Sequence, residues 1–443
     1  MKIDRLGNSN FWSLLVLFQF TFLLIYFNAN IVNVGEMGTA LPLLIAYFGV
    51  SGLLFSILWL QQKLYFRIHL FIFLLLIAWL AIRIVIDLAD VELLKQLTVA
   101  TTGGMLLFFF LGAFWGLSYQ TFLVHAGKIV IEKSSIILFF ISLAWMLYNF
   151  SQRMHPSLFY ITGVNGWYQR PGNFLSMSFI AVSYSYLLLV LKRIGQPCKS
   201  ISIFFWLMLY TVSTFIALLG SQLFGSNSAT GVILGVYLIT FVMSLVLPRK
   251  SMWINYLRQK LTLPWSKQLV KSLALTSTIG LVIFITFVYF IIKMTGFDIT
   301  SLNLLGFGSG SNSSLLSRVE IILETGIDQI SYALFLGNIN VAYLTTGNAG
   351  RTLHSFFPYV SANLGLIGLT IVLALLGNVA MQLYRESKQG RNAGLCGYQT
   401  NMIALYSIFI FLYILFFANI STDVSWVVLW FTLGFVSRPF GFK

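Results

Sequence analysis

Apolar runs of about 20 residues recur along this chain, and shorter polar stretches separate them. A helix of that length crosses the roughly 30 Å hydrocarbon layer of a bilayer while satisfying its own backbone hydrogen bonds. The pattern therefore predicts an all-α polytopic membrane protein with about twelve transmembrane helices. The predicted spans cover residues 11–29, 39–60, 69–87, 97–115, 135–150, 173–191, 200–220, 229–247, 272–292, 357–384, 400–418 and 425–438.

Composition supports the same class, because 58% of the 443 residues are hydrophobic and only 9% are charged. That balance is outside the range of soluble domains. The first apolar run is long for a signal peptide and lacks a small-residue cleavage site, so we interpret it as a retained span. Cys198 and Cys396 show no metal-ligand spacing. We expect one integral-membrane domain over residues 1–443.

Basic residues indicate the orientation, since Lys and Arg accumulate in cytoplasmic loops. With the N-terminus in the cytoplasm, 20 of the 27 Lys and Arg lie in cytoplasmic segments, which include a basic loop at 248–271. The other seven are Arg83, Lys95, Arg153, Arg170, Lys293, Arg318 and Arg351. Both termini are thus predicted to be cytoplasmic. The net charge of +15 reflects this topology and does not indicate nucleic-acid binding.

Two of the predicted outer loops are long, at residues 151–172 and 293–356. The second has about 60 residues in a chain that otherwise turns quickly, and a loop of that size is usually functional. Loops held on a rigid scaffold are also where binding and catalytic residues concentrate. These two loops are therefore the predicted location of the chemistry.

An amphipathic helix is predicted inside the second loop, where apolar residues recur at i, i+3/i+4 and i+7. They are Leu315, Leu316, Val319, Ile322, Leu323, Ile327, Ile330 and Leu334. Ser317 followed by Glu320 fits a capping box, which predicts that the helix begins there. Its polar face carries Arg318, Glu324 and Asp328. Such a helix would lie flat on the membrane surface or cap the spans.

The stretch after this helix is rich in Gly, Asn and Thr and has no period, which predicts an irregular loop. It brings Arg351 and His354 to the outer end of the tenth span. That span opens with Pro358, which a first helical turn tolerates. Gly365 and Gly368 form a small pair that favours close helix packing.

Basic side chains from both outer loops are candidates for one site. The first loop carries Arg153, His155, Tyr168 and Arg170. Arg170, Arg318 and Arg351 could converge with His354 on the outer face. A guanidinium binds phosphate bidentately, and a histidine can accept a proton from a hydroxyl. A phosphate and a hydroxyl together at this face indicate a lipid-linked diphosphate substrate.

Simpler interpretations stand beside these. An Arg near a span end usually extends to the lipid headgroups, a loop His is usually solvated, and an amphipathic helix usually packs. The carboxylates at 87–92 suit a divalent cation, but a local ion pair of Arg83 with Asp87 explains them more simply. The hydroxyl-rich stretch SQLFGSNSATG is a further candidate for sugar or phosphate binding. Soluble-type nucleotide and hydrolase motifs are absent from the sequence.

Two stretches of these loops resemble a known family. SRVEI at 317–321, a Gly-rich loop and HSFFPYVSANLGLIG at 354–368 are similar to the outer-loop pattern of the bacterial O-antigen polymerase and O-antigen ligase superfamily. The residues that match its spacing are His354, Ser355, Gly365 and Gly368. YQRPGNF at 168–174 is similar to an Arg-Gly turn that opens a span in that family. SQLFGSNSATG departs from the pattern, because it lacks the arginine often found after the corresponding serine.

The resemblance implies a GT-C-like integral-membrane glycosyltransferase that works without cofactor or metal on the periplasmic side of the bacterial inner membrane. Its substrates would be undecaprenyl-diphosphate-linked glycans, and its partners membrane lipid, a chain-length regulator and a flippase. The implied catalytic residues are His354 and Arg318, and the implied diphosphate-binding residues are Arg170 and Arg351. Secondary candidates are Arg153, Tyr168 and Glu324.

Three activities remain open at this point. A polymerase joins glycan repeat units that are both polyprenyl-linked, and this is our preferred interpretation. A ligase instead transfers the glycan to a lipid A-core acceptor, and the shared motif does not separate the two. A lipid-linked glycan flippase or transporter is the alternative from another class. It is disfavoured because no internal repeat is visible and the charges lie at span ends.

Overall fold

The computed structural model describes residues 64–87, 105–116, 169–193, 200–223, 227–256, 314–389, 394–421 and 426–442, with isolated positions elsewhere. Almost all of these residues are helical. The predicted spans at 11–29 and 135–150 lie outside the described residues. Those at 39–60 and 272–292 contribute only isolated helical positions.

The described part contains ten helices and one pair of short strands. The helices are α1 (Ile68–Asp87), α2 (Met105–Gly116), α3 (Gln169–Arg193), α4 (Ser200–Leu223), α5 (Asn227–Tyr256), α6 (Ser314–Tyr332), α7 (Val341–Thr346), α8 (Phe356–Gln389), α9 (Gly394–Ser421) and α10 (Val427–Ser437). A single 3₁₀ turn covers Ala349–Arg351. Strands β1 (Leu64–Phe66) and β2 (Phe440–Phe442) pair antiparallel.

Four of these helices are long and apolar enough to cross a bilayer, over Ile68–Asp87, Asn227–Ser244, Phe356–Lys388 and Asn401–Ile420. The chain is therefore an all-α membrane protein. Helices α2 and α10 are shorter and apolar, and α3 and α4 contain shorter apolar stretches. Each of these helices outside residues 314–346 overlaps a predicted span. The total of twelve spans and their orientation stay predictions.

Hydropathy predicted two of the helices shorter than they are. Helix α5 continues to Tyr256, although the span was predicted to end at residue 247, so the beginning of the predicted 248–271 loop is helical. Helix α9 likewise begins at Gly394, six residues before the predicted start at residue 400. A drop in hydropathy marks where a chain leaves lipid, while helical backbone hydrogen bonding can continue beyond that point.

The chain divides into two compact units. One contains residues 128–311 and 394–406, and there α3, α4 and α5 pack around buried tyrosines. The Ser183 and Tyr210 hydroxyls are 2.8 Å apart, and those of Thr240 and Tyr406 are 2.7 Å apart. Hydrogen bonds of this kind between helices satisfy polar groups that lipid cannot.

The other unit contains residues 1–127, 312–393 and 407–443 and carries the candidate site. Helix α1 packs along α8, and the Glu386 carboxylate joins their ends by accepting from Arg67 at 3.0 Å and Arg438 at 3.3 Å. Helices α2 and α10 touch through their backbones, since a Cβ added at Gly112 would overlap the Phe431 carbonyl. Glu386 therefore connects the end of α8 opposite to the site with the residue before α1 and the residue after α10.

Candidate functional site

Helix α8 is broken at Gly365, whose backbone angles are φ 65° and ψ −170°. These angles favour glycine. A Cβ at Gly365 would also overlap the Phe335 carbonyl, so the position requires glycine for space as well. The predicted close approach at Gly365 is thus present, but its partner is a turn and not a second helix. At Gly368, the three atoms nearest to an added Cβ all belong to Leu364 of the same helix, so close packing against a second helix stays a prediction there.

The turn at residues 333–340, which we call the docking turn, fills the break in α8. In a continuous helix the Leu366 amide would donate to the Ala362 carbonyl. Here the Leu366 amide donates to the Leu334 carbonyl at 2.9 Å, and the Ala362 carbonyl accepts from the Asn338 amide at 3.1 Å. One helical hydrogen bond is therefore replaced by two bonds to the docking turn.

Two further backbone groups at the break are also satisfied. The Ile367 amide donates to the Phe335 carbonyl at 3.3 Å, and the Leu364 carbonyl accepts from the Trp79 indole at 2.9 Å. An unpaired backbone group in a lipid environment costs several kcal/mol, about the strength of the bond it has lost. The break in α8 is tolerated because protein groups replace the missing bonds.

The end of α1 holds the docking turn from the other side. The Asp87 carboxylate accepts from the Ile339 amide at 2.9 Å. The backbone carbonyl of Asp87 accepts from the Asn340 side chain at 3.2 Å. Asp87 is also paired with Arg83, which confirms the local ion pair. Among the residues the structure describes, no group of three potential metal ligands occurs. Asp90 and Glu92, the other members of the possible metal site, lie outside them.

Helix α6 begins at Ser314, so the predicted start at Ser317 is wrong and Ser317 lies inside the helix. Its apolar side is divided between two environments. Ile322 and Ile330 pack against the fully buried Leu353, which follows the 3₁₀ turn. Leu323 and Ile327 are 77% and 80% exposed. The helix therefore caps the start of α8 with one face and presents an apolar ridge with the other.

Arg318 is partly buried and does not share a face with Glu324, contrary to the prediction. At 100° per residue the two positions are separated by about 120° around the helix. Arg318 instead lies in register with Thr325 and Gln329, seven and eleven residues later, and both of those are buried. The buried side of α6 thus contains a polar row.

Gln329 in that row connects α6 to the 3₁₀ turn. Its side-chain amide donates to the Thr325 hydroxyl and to the Arg351 carbonyl, both at 2.9 Å. Its carbonyl oxygen is buried without a hydrogen-bond partner among the described residues. In the sequence, Gln329 is indicated by its i, i+4 spacing to Thr325, on the side of the helix that also carries the packed isoleucines.

Arg351 and Glu324 are brought together as a solvent-accessible pair. Arg351 Nη1 lies 3.4 Å from Glu324 Oε2, and the side chains are 47% and 49% exposed. The stretch that carries Arg351 is less irregular than predicted, because α7 and the 3₁₀ turn lie within it. Helix α7 is only six residues long and ends at Gly347, which has a φ of 70°, so it is too short to show a period.

His354 is partly buried and lies in a short extended stretch just before α8. The backbone is held on both sides of it. Leu353 is buried against α6, and the Ser355 hydroxyl donates to the Asn419 carbonyl at 2.6 Å. The Asn419 side chain also accepts from the Phe357 amide at 3.0 Å. Asn419 carries no local sequence signal, since its partners are more than 60 residues away.

The remaining candidates are not brought into this arrangement by what the structure describes. The backbone of Arg170 lies in the first turn of α3, in the other compact unit, and its side chain is outside the described part. Arg153 and Tyr168 lie outside the described residues altogether. The described site thus consists of His354, Arg351 and Glu324, with Arg318 on the supporting helix.

No protein-family model matches this chain, and no curated protein matches it. The chemistry available at the site must therefore be argued from its groups. A held imidazole can accept a proton, and guanidinium groups can stabilise anionic oxygens. The segment that carries these groups is anchored at α1, α6, α8 and α9.

Proposed function

We propose that this membrane protein is a glycosyltransferase of the bacterial inner membrane that polymerises undecaprenyl-diphosphate-linked oligosaccharide repeat units on the periplasmic face. The observation that supports it most is the anchored segment that carries Arg351 and His354 directly before α8. The resemblance of HSFFPYVSANLGLIG to the O-antigen polymerase and ligase superfamily points to the same segment. Arg318 on the supporting helix adds a second guanidinium.

In the proposed reaction a hydroxyl of the acceptor glycan attacks the anomeric carbon of the donor. The new glycosidic bond forms as the bond between that carbon and the diphosphate oxygen breaks, and polyprenyl diphosphate leaves with the electron pair. His354 accepts the hydroxyl proton or orients the hydroxyl. Arg318 and Arg351 bind the diphosphate and stabilise its growing negative charge.

Glu324 has a defined place in this proposal. A half-exposed ion pair is worth at most about 1 kcal/mol, so little is lost when Arg351 leaves Glu324 for a diphosphate. A bidentate bond between a guanidinium and a phosphate is stronger than the single 3.4 Å contact with the carboxylate. Glu324 therefore holds Arg351 in place before the donor binds.

An O-antigen ligase uses the same donor and the same leaving group, so it remains the alternative within the enzyme class. The acceptor is then lipid A-core. A deletion strain separates the two activities: lipopolysaccharide with a single repeat indicates a lost polymerase, and lipopolysaccharide without O-chain indicates a lost ligase.

A flippase or transporter is the alternative outside that class, and the buried tyrosines of α4 and α9 are the observation relevant to it. These hydroxyls lie in the middle of spans, where a transporter would place polar groups. However, Tyr210 pairs with Ser183 and Tyr406 with Thr240, so these groups bond to neighbouring helices. That pattern is typical of helix packing.

Purified protein in vesicles with synthetic undecaprenyl-diphosphate repeat units tests the proposal. We expect the glycan to lengthen on the polyprenyl carrier without added nucleotide sugar. Vesicles with His354→Ala serve as the control and should show no lengthening. If the repeat units cross the bilayer but never lengthen and never transfer to lipid A-core, the enzyme proposal is wrong.

A further inference from the structure

Asp87 uses both of its carboxylate oxygens, and they serve different elements. One oxygen pairs with Arg83, four residues earlier in α1. The other accepts the Ile339 amide of the docking turn at 2.9 Å. The carbonyl of Asp87 accepts the Asn340 side chain as well, at 3.2 Å. Asp87 thus connects the end of a membrane helix to the turn that fills the break in α8.

The ion pair alone does not account for this arrangement. The Arg83 and Asp87 side chains are 5% and 4% exposed. Removing two charges from water costs several kcal/mol each, and a buried pair often stabilises a fold no better than apolar side chains of similar volume. What the carboxylate adds is an acceptor for a backbone amide that the docking turn would otherwise leave unpaired. Arg83 makes this acceptor tolerable by neutralising it.

The docking turn is consequently fixed at both of its ends. Its residues 334–338 bond to the break at Gly365, and its residues 339–340 bond to Asp87. Val341 follows at once and packs with Leu353 and Ala362 in one buried cluster. A displacement of the turn would therefore move Leu353, and with it the adjacent His354.

We propose that Asp87 is a positioning residue of the transfer site, which holds the docking turn in the break of α8 and so fixes the segment that carries Arg351 and His354. This inference rests on the proposed function. Asp87 does not contact the substrate in this proposal. Its effect on the reaction passes through the backbone of the docking turn.

Two double variants separate the acceptor from the ion pair. Arg83→Asp with Asp87→Arg keeps a pair of opposite charges in α1 but leaves no acceptor at position 87, since a guanidinium only donates. Arg83→Gln with Asp87→Asn removes both charges but keeps a carbonyl oxygen that can accept the Ile339 amide. If Asp87 acts through that amide, the charge swap fails and the neutral pair works.

We expect the charge swap to lower kcat for glycan transfer by about 10-fold or more, with KM within about threefold, because a misplaced catalytic group slows the chemical step. The neutral pair should keep kcat within about threefold of the wild type. Membrane amounts of both variants are measured alongside. Equal kcat values in the two variants, whether high or low, would overturn the proposal.

Cross-linking reports on the docking turn without any activity measurement. The Phe335 carbonyl and the Ile367 amide are 3.3 Å apart, so cysteines at these two positions would lie within reach of a short bifunctional thiol cross-linker. Phe335→Cys and Ile367→Cys are introduced with Cys198→Ser and Cys396→Ser. The cross-linker should join the two cysteines in the wild-type and neutral-pair backgrounds but not in the charge swap.

The combined results distinguish the two proposals. A swap that prevents cross-linking but leaves transfer unchanged overturns the positioning role. A wild-type protein that cross-links as expected but transfers no glycan overturns the proposed function, and the transfer-site role of Asp87 with it. We expect the charge swap, and not the neutral pair, to lose both glycan transfer and cross-linking.

Discussion

The amide of Leu366, inside a membrane-spanning helix, donates to the carbonyl of Leu334 in the docking turn at 2.9 Å. In an unbroken helix it would bond to Ala362 of the same helix. This relationship makes the span and the preceding loop a single folded unit. The residues between them, which include Arg351 and His354, are therefore positioned by the transmembrane helices.

Gly365→Ala should detach the docking turn. Alanine at a φ of 65° costs about 1 kcal/mol or more, and its Cβ would overlap the Phe335 carbonyl. We expect a lower melting temperature in detergent and loss of glycan transfer. Gly377→Ala in the same helix is the matched control, because a Cβ there meets nothing within 4 Å. If both variants behave like the wild type, the break in α8 is not required.

His354→Ala should abolish glycan transfer while the protein reaches the membrane in normal amount. The imidazole follows an anchored backbone, and the buried cluster that holds this backbone consists of Val341, Leu353 and Ala362. Activity is measured by chain lengthening on the polyprenyl carrier. Asp328→Asn, on an exposed face of α6, is the control and should retain activity. Wild-type activity in His354→Ala would remove its catalytic role.

Sequence pattern predicted the parts of the fold that depend on periodicity. Spans such as Ile68–Asp87 and the amphipathic helix α6 are recognisable because each must bury an apolar face or cross lipid. The break at Gly365 is not recognisable in this way. It depends on the docking turn, whose hydrogen bonds join residues about 30 positions apart, and hydropathy continues unchanged across it.

The candidate site likewise contains residues that the sequence predicts and residues that it does not. Arg351 and His354 were predicted because their residue types and their place before a span are visible in the chain. The residues that hold them were missed, since Asn419 and Asp87 act through partners 62 and 252 residues away. The predicted polar face placed Arg318 beside Glu324. A rotation of 100° per residue instead separates the two positions by about 120° around α6.

The arginines should differ in importance according to their place. Arg318→Ala should abolish transfer, because its guanidinium is proposed to bind the diphosphate. The resemblance to the O-antigen family predicts that Arg170→Ala impairs transfer strongly. Arg153→Ala should have a smaller effect. Transfer by each variant is measured at several donor concentrations in vesicles. A loss of activity on adding a chelator would contradict this scheme and favour metal-dependent transfer.

Glu324→Gln should increase the apparent affinity for the donor, whereas Arg351→Ala should decrease it. Glu324 lies 3.4 Å from the Arg351 guanidinium and competes with the diphosphate for it. Removing its charge frees Arg351 at a cost of at most about 1 kcal/mol, since the pair is half exposed. Arg351→Lys should recover little, because an ammonium group cannot bind phosphate bidentately. The measurement is KM for the undecaprenyl-diphosphate donor. If Arg351 served only to hold α6, both Glu324→Gln and Arg351→Ala would weaken the same contact and change KM in the same direction.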